Sequence, residues 1–153
     1  MNLILVFLAF FAVLFPDDCH AFKCSATATP IVFANYDVFS TLPLDTTANV
    51  TISCTNPEKK PIQVNVSLNS GNSGSFNPRQ MTYAGAGLPM DYYIFLDPSR
   101  TTIWGDGTGG TGVITGTIVR DTPLNTVIYG RAPARQNLKA GSYSDSLLVT
   151  VTW

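Results

Sequence analysis

The sequence is poor in charge, in histidine and in helix-forming pattern. Its 153 residues include 9 Lys and Arg, 10 Asp and Glu and a single histidine, for a net charge of −1. With no basic field to meet a phosphate backbone, nucleic acid is excluded as a partner. Beyond the first 21 residues the apolar positions do not recur at helical spacing, so the chain does not read as a helical fold. What it has is apolar content: 45% of the residues are hydrophobic, enough for the core of one domain.

The first 21 residues read as a secretory signal. "LILVFLAFFAVLF", Leu3 to Phe15, is apolar but short for a bilayer span, and "CHA" sets Ala21 at a cleavage position with Cys19 two residues before it. An uncleaved anchor is the alternative, because no Lys or Arg precedes the run and Asp17 and Asp18 follow it. Cleavage after Ala21 removes His20, the one imidazole, and with it any Ser/His/Asp or Cys/His nucleophile and any histidine metal site. It also removes Cys19 and leaves Cys24 and Cys54. An even pair in an exported chain reads as a disulfide closing a loop of about 31 residues, with two separately buried thiols as the other reading.

From residue 22 to 153 the chain alternates short β-rich runs with turn clusters. The runs are "PIVFANY" (30–36), "NVTISC" (49–54), "PIQVNVSL" (61–68), "DYYIFLD" (91–97), "TGVITGTIV" (111–119), "TVIYGRAP" (126–133) and the closing "SLLVTVTW". Gly, Pro, Asn and Ser crowd the stretches between them. About seven strands at this spacing predict an all-β fold, an immunoglobulin-like β-sandwich, in a single domain over 22–153. In the last run Leu147, Val149, Val151 and Trp153 alternate with Leu148, Thr150 and Thr152. A strand this apolar needs neighbours on both sides or it becomes an open edge.

Apparent chemical motifs dissolve on inspection. "GDGTGG", Gly105 to Gly110, satisfies G-x-G-x-x-G, but a strand-like run follows it where a dinucleotide site needs a helix N-terminus. It reads as a Gly-rich hairpin connection with Asp106 as a turn residue. Asp97 and Asp106 lack the dense spacing of a calcium loop and read as turn aspartates. No pair among Asp37, Asp45, Asp91, Asp97, Asp121 and Asp145 stands out as a glycosidase couple. The chain reads as a non-enzyme without a cofactor. Phe76, Leu88 and Met90, in Gly/Pro-rich surroundings, are candidate adhesive loop tips, with a fold-back onto the core as the alternative.

"YYIFLDPSRTTIWGDGTGGTG" and "VIYGRAPARQNLKAGSYSDSLLVTVTW", together with "CSATATPIVFANYD" and "NVTISCTN", resemble the spore coat protein U domain family, which includes subunits of archaic, Csu-type chaperone/usher pili. The resemblance covers nearly all of 22–153 and rests on the order and spacing of these stretches. It implies a sandwich lacking its last strand, with an apolar groove beside the C-terminal strand. A periplasmic chaperone, and then the donor strand of another pilus subunit, would fill that groove, with an outer-membrane usher as the export partner. It also places Cys24 and Cys54 where the family has its disulfide. The groove residues expected here are Leu147, Val149, Val151 and Trp153, with Ile31 and Phe33 on the opposite wall, in a strand from Ile31 to Tyr36. The alternative is that all of them face a complete core.

Cleavage after Ala21 would leave only Phe22 and Lys23 ahead of Cys24. A donor strand needs roughly ten residues at about 3.3 Å each to fill a strand-length groove. The expectation is therefore a surface pilus subunit that accepts a strand without giving one, located at a fibre tip and engaged in attachment and biofilm formation. The alternative is a secreted spore or cell coat protein of the same family.

Overall fold

The computed structural model describes residues 23–55 and 59–153. The signal assigned to residues 1–21 lies outside them. Among the described residues nine strands follow in chain order: β1 (Lys23–Ala28), β2 (Leu44–Thr55), β3 (Ile62–Leu68), β4 (Arg79–Tyr83), β5 (Met90–Phe95), β6 (Ile114–Ile118), β7 (Leu124–Ala132), β8 (Tyr143–Ser144) and β9 (Val149–Thr152), with one 3-10 turn at Gly71–Ser73. They form two antiparallel sheets, one of six strands in the order β1-β2-β7-β5-β4-β8 and one of three in the order β6-β3-β9. This is the immunoglobulin-like sandwich that the strand spacing predicts. No helix among the described residues is long and apolar enough to cross a membrane.

The alternation of side chains builds the core. Ile62, Val64, Val66 and Leu68 of β3 are buried while Gln63 and Asn65 face water. On the opposing sheet Ala48, Val50, Ile52 and Cys54 of β2 point in, joined by Tyr92 and Ile94 of β5 and Ile128 of β7. Each such aliphatic side chain stabilises the fold by about 1.5–3 kcal/mol when fully buried. Trp104 lies between the sheets at 1% exposure, and its indole N–H donates to the Val66 carbonyl at 3.0 Å, so its one polar group is satisfied inside the core. Cys24 and Cys54 sit directly opposite each other on β1 and β2 and are joined by a disulfide.

The structure departs from the sequence expectation at several places. Residues 30–36 form no strand; the first strand is the earlier, less apolar β1, and the chain then runs over the sandwich in an irregular path to Pro43. That path is tied down locally. Thr46 Oγ1 donates to the Val32 carbonyl at 2.9 Å, Tyr36 Oη donates to the Pro133 carbonyl, and Tyr36 Oη also accepts from the Gln136 N–H. Met90 is no loop tip. It opens β5 opposite Met81, where the pleat turns it inward, and it is 4% exposed. Phe76 is only half-exposed, because its ring packs 5.1 Å from the buried guanidinium of Arg79. Leu88 alone of the three stands out in solvent.

Candidate functional site

The site lies where the sandwich is unfinished. Among the described residues β1 pairs only with β2 and β9 only with β3, so each is the edge of its sheet there. The main-chain groups facing the gap follow from the ladders. The Asn69 N–H donates to the Leu148 carbonyl, and Ser67 and Asn65 lie opposite Thr150 and Thr152. In an antiparallel pair the residues bonded to the partner alternate with residues whose N–H and C=O point away. Leu147, Val149 and Val151 therefore turn their backbone groups to the open side, while their side chains turn toward the core. On β1 the Thr29 N–H donates to the Asn49 carbonyl, so by the same alternation Ala26 and Ala28 present theirs to the gap.

A cavity of about 370 Å³ opens beneath this gap. One wall is the chain from Ala28 to Phe33, the other the chain from Tyr143 to Val149, and Leu68, Trp104 and Ile128 lie at the base. Ile31 and Phe33 reach over β7 at Gly130, where an added Cβ would stand 3.1 Å from both of their side chains and 2.8 Å from Thr46. A glycine there lets the wall lie close to the sheet. Phe33 meets Tyr92 edge-on with ring centroids 6.1 Å apart.

The groove has one polar end. Tyr92 Oη donates to Asp145 Oδ2 at 2.6 Å, and Asp145 Oδ1 accepts the N–H groups of Asn72 and Ser146. Gly71, at φ 71°, leaves room for that carboxylate, since a Cβ would fall 2.2 Å from it. Burial, then the Asp145 carboxylate, pushes the Tyr92 phenol far above its ordinary range. Nearby Arg79 is fully buried. Its Nη2 donates to the carbonyls of Asn69 and Trp104, while Nε and Nη1 have no partner, and burial lowers its pKa. Past this end a second hollow shares Ile31, Phe33, Met81 and Tyr143 with the first and continues between residues 31–39 and 138–143.

Of the six residues expected to form a groove, Ile31, Phe33, Leu147 and Val149 line the cavity together. Val151 packs on the core beyond its end. Trp153 does not line it: β9 ends at Thr152, and the indole is 58% exposed past the last paired residue. Sequence reasoning missed the base of the groove. The inward alternation of Leu68 and Ile128 was readable, but nothing local announces that Trp104, from an irregular stretch, closes the same space. Asp97 accepts the N–H groups of Thr101 and Thr102, and Asp106 accepts from Thr108, so both serve their own turns. Among the described residues no three His, Cys, Asp or Glu side chains come together as metal ligands.

The fold and groove define an all-β, immunoglobulin-like sandwich with an open strand edge over an apolar groove, and comparison with known proteins gives the family. The Spore Coat Protein U domain matches residues 11–150, and the chain belongs to that family. It is 28% identical over 128 residues to Protein U of Myxococcus xanthus, a match covering 79% of this chain and 70% of that protein. Its fold is similar to a chain in the crystal structure of the CsuC–CsuE chaperone–tip adhesion subunit pre-assembly complex from the archaic chaperone-usher Csu pili of Acinetobacter baumannii. The TM-score is 0.62 at 22% identity, over 87% of this chain but 40% of that one. A minor tip subunit of the Escherichia coli Hda pilus, HdaB, matches more weakly, with a TM-score of 0.41 at 17% identity over 83% of this chain and 79% of that one.

Proposed function

We propose that this chain is a structural subunit of an archaic chaperone/usher surface pilus, and that the groove between β1 and β9 receives a donor strand from another protein. The observation that carries the reading is the pairing of an unpartnered β9 edge with an apolar cavity directly beneath it. An extended segment laid there would satisfy the exposed backbone groups of Leu147, Val149 and Val151 and place alternate side chains on Leu68, Trp104 and Ile128. A periplasmic chaperone supplies the strand before assembly, an outer-membrane usher handles export, and a neighbouring subunit supplies the strand in the fibre. Family membership and likeness in fold to a chain from a Csu chaperone–tip subunit complex support this. Cleavage after Ala21 would pin the mature chain to Cys24 and its disulfide with two residues to spare, and such a subunit would sit at the fibre tip.

The test is expression of the mature chain alone and with its chaperone. The bare chain is expected to self-associate, and the chaperone to yield a soluble one-to-one complex. A monodisperse, cooperatively unfolding bare chain would contradict the proposal. The family's description and the similarity to Protein U favour a second reading, a secreted coat protein on the same fold. Immunogold labelling separates the two: signal at fibre ends supports the tip subunit, and signal spread over a coat supports the alternative.

A further inference from the structure

One rung of the β3–β9 ladder is made irregularly. The register runs Asn65 opposite Thr152, Ser67 opposite Thr150 and Leu68 opposite Val149, so the next facing pair is Asn69 with Leu148. A regular pair at this position exchanges two main-chain hydrogen bonds. Only one forms, from the Asn69 N–H to the Leu148 carbonyl at 3.1 Å. The Leu148 N–H donates instead to the Asn69 side chain, Oδ1, at 2.9 Å. The Asn69 carbonyl is taken by Arg79, whose Nη2 donates to it at 3.0 Å and to the Trp104 carbonyl at 2.8 Å. One guanidinium thus ties Trp104, at the base of the groove, to the residue that holds the wall at Leu148. Before Leu148 the wall has no β3 partner and is held at Asp145, which accepts the Asn72 N–H and the Tyr92 hydroxyl.

Stability does not account for an arginine here. Arg79 is 0% exposed, its Nε and Nη1 have no acceptor, and among the described residues no carboxylate forms an ion pair with it. A charge buried this way costs more in desolvation than its bonds recover, and an apolar side chain of similar length is often as stable. Losing the guanidinium would not orphan the Asn69 carbonyl, because the Leu148 N–H faces it across the ladder. Resting on the acceptor reading above, we propose that Arg79 is a positioning residue of the groove. By drawing the Asn69 carbonyl out of the ladder it ends β3–β9 pairing at Leu148 and keeps residues 143–147 apart from β3, beside the cavity. Without it the rung closes, the ladder is free to run on past Leu148, and the wall leaves the groove.

Two variants and their combination test this by amide exchange in the free chain. Asn69→Ala removes the acceptor of the Leu148 N–H while Arg79 still holds the carbonyl of residue 69. Exchange at Leu148 should quicken roughly 3–10-fold, the loss of about one net hydrogen bond. Arg79→Met should melt within about 5 °C of the parent and keep the Leu148 amide protected. In the double variant the freed carbonyl of residue 69 takes the Leu148 N–H, so protection should return to the parent level. Arg79→Met should also bind a fluorescein-labelled peptide of about twelve alternating Val and Thr residues roughly tenfold more weakly than the parent does. Leu148 exchange in the double variant as fast as in Asn69→Ala, or a melting loss beyond about 8 °C for Arg79→Met, overturns the positioning role and leaves the acceptor reading standing. Equal peptide binding by the parent and Arg79→Met does the same. A parent that binds no peptide fails the acceptor reading itself, and this inference with it.

Discussion

Tyr92→Phe removes one hydroxyl at the polar end of the groove and leaves the ring that packs on Phe33. The lost contact is the 2.6 Å hydrogen bond to Asp145 Oδ2. Hydrogen bonds to charged groups contribute about 1.5–3 kcal/mol. Asp145 is partly exposed and keeps the Asn72 and Ser146 N–H groups on its other oxygen, so the lower part of that range applies, about 1.5–2 kcal/mol. For a domain of this size the loss corresponds to roughly 4–8 °C in Tm. Phenylalanine leaves no cavity, so no packing cost is added. The assay is chemical denaturation of the chaperone-free, strand-complemented chain, run as a double-mutant cycle with Asp145→Asn. The expected coupling energy is at least about 1 kcal/mol. A Tyr92→Phe loss below about 0.5 kcal/mol, or strict additivity with Asp145→Asn, would refute the reasoning.

Replacing Cys24 and Cys54 together by Ala should destabilise the fold by about 3–4 kcal/mol, from a bridge spanning 30 positions; urea midpoints of oxidised parent and variant check it. Gly130→Val places a branched side chain against Thr46, Ile31 and Phe33, and should cost about 1–3 kcal/mol by overpacking while lifting the groove wall, read as altered amide exchange over residues 29–36. Acid should weaken the fold in a defined direction. Asp45 is held below its ordinary pKa by hydrogen bonding to Arg131, Asp97 by the Thr102 N–H and Asp106 by Thr108. A depressed folded-state pKa gives stability that is present above the unfolded value near 3.9 and is lost as pH falls through the folded one. Thermal midpoints should therefore be flat above about pH 5 and fall below about pH 4, and Asp45→Asn should flatten part of that fall.

Much of the sandwich was legible because β3 and β7 alternate cleanly, with Ile62, Val64, Val66 and Leu68 on one face, and because turn residues bracket each run. The parity of Cys24 and Cys54 gave the bridge, and the apolar alternation before the chain's last residue marked β9 as an edge in search of a neighbour. Other features depend on tertiary context. β1, "KCSATA", is too polar and small to announce a strand, and it forms because Cys24 is matched to Cys54 and its backbone completes the β2 edge. Residues 30–36 look more like a strand yet do not pair, since their side chains are used across the sandwich, with Ile31 and Phe33 over Gly130. Met90 was misplaced because its Gly-rich neighbourhood and the preceding Pro89 hide that it is the first inward residue of β5. The buried Arg79, held by the carbonyls of Asn69 and Trp104, has no local signature at all.

The account turns on whether the backbone of β9 is open to a strand from another chain. Amide hydrogen exchange at Val149 and Val151 measures this directly, in the chain alone and in complex with a chaperone or a donor-bearing subunit. The account predicts fast exchange at these two amides in the free chain, slow exchange at Thr150, whose backbone faces β3, and strong protection of Val149 and Val151 once the partner is bound. Slow exchange at Val149 and Val151 in the free chain, unchanged by the partner, would contradict it.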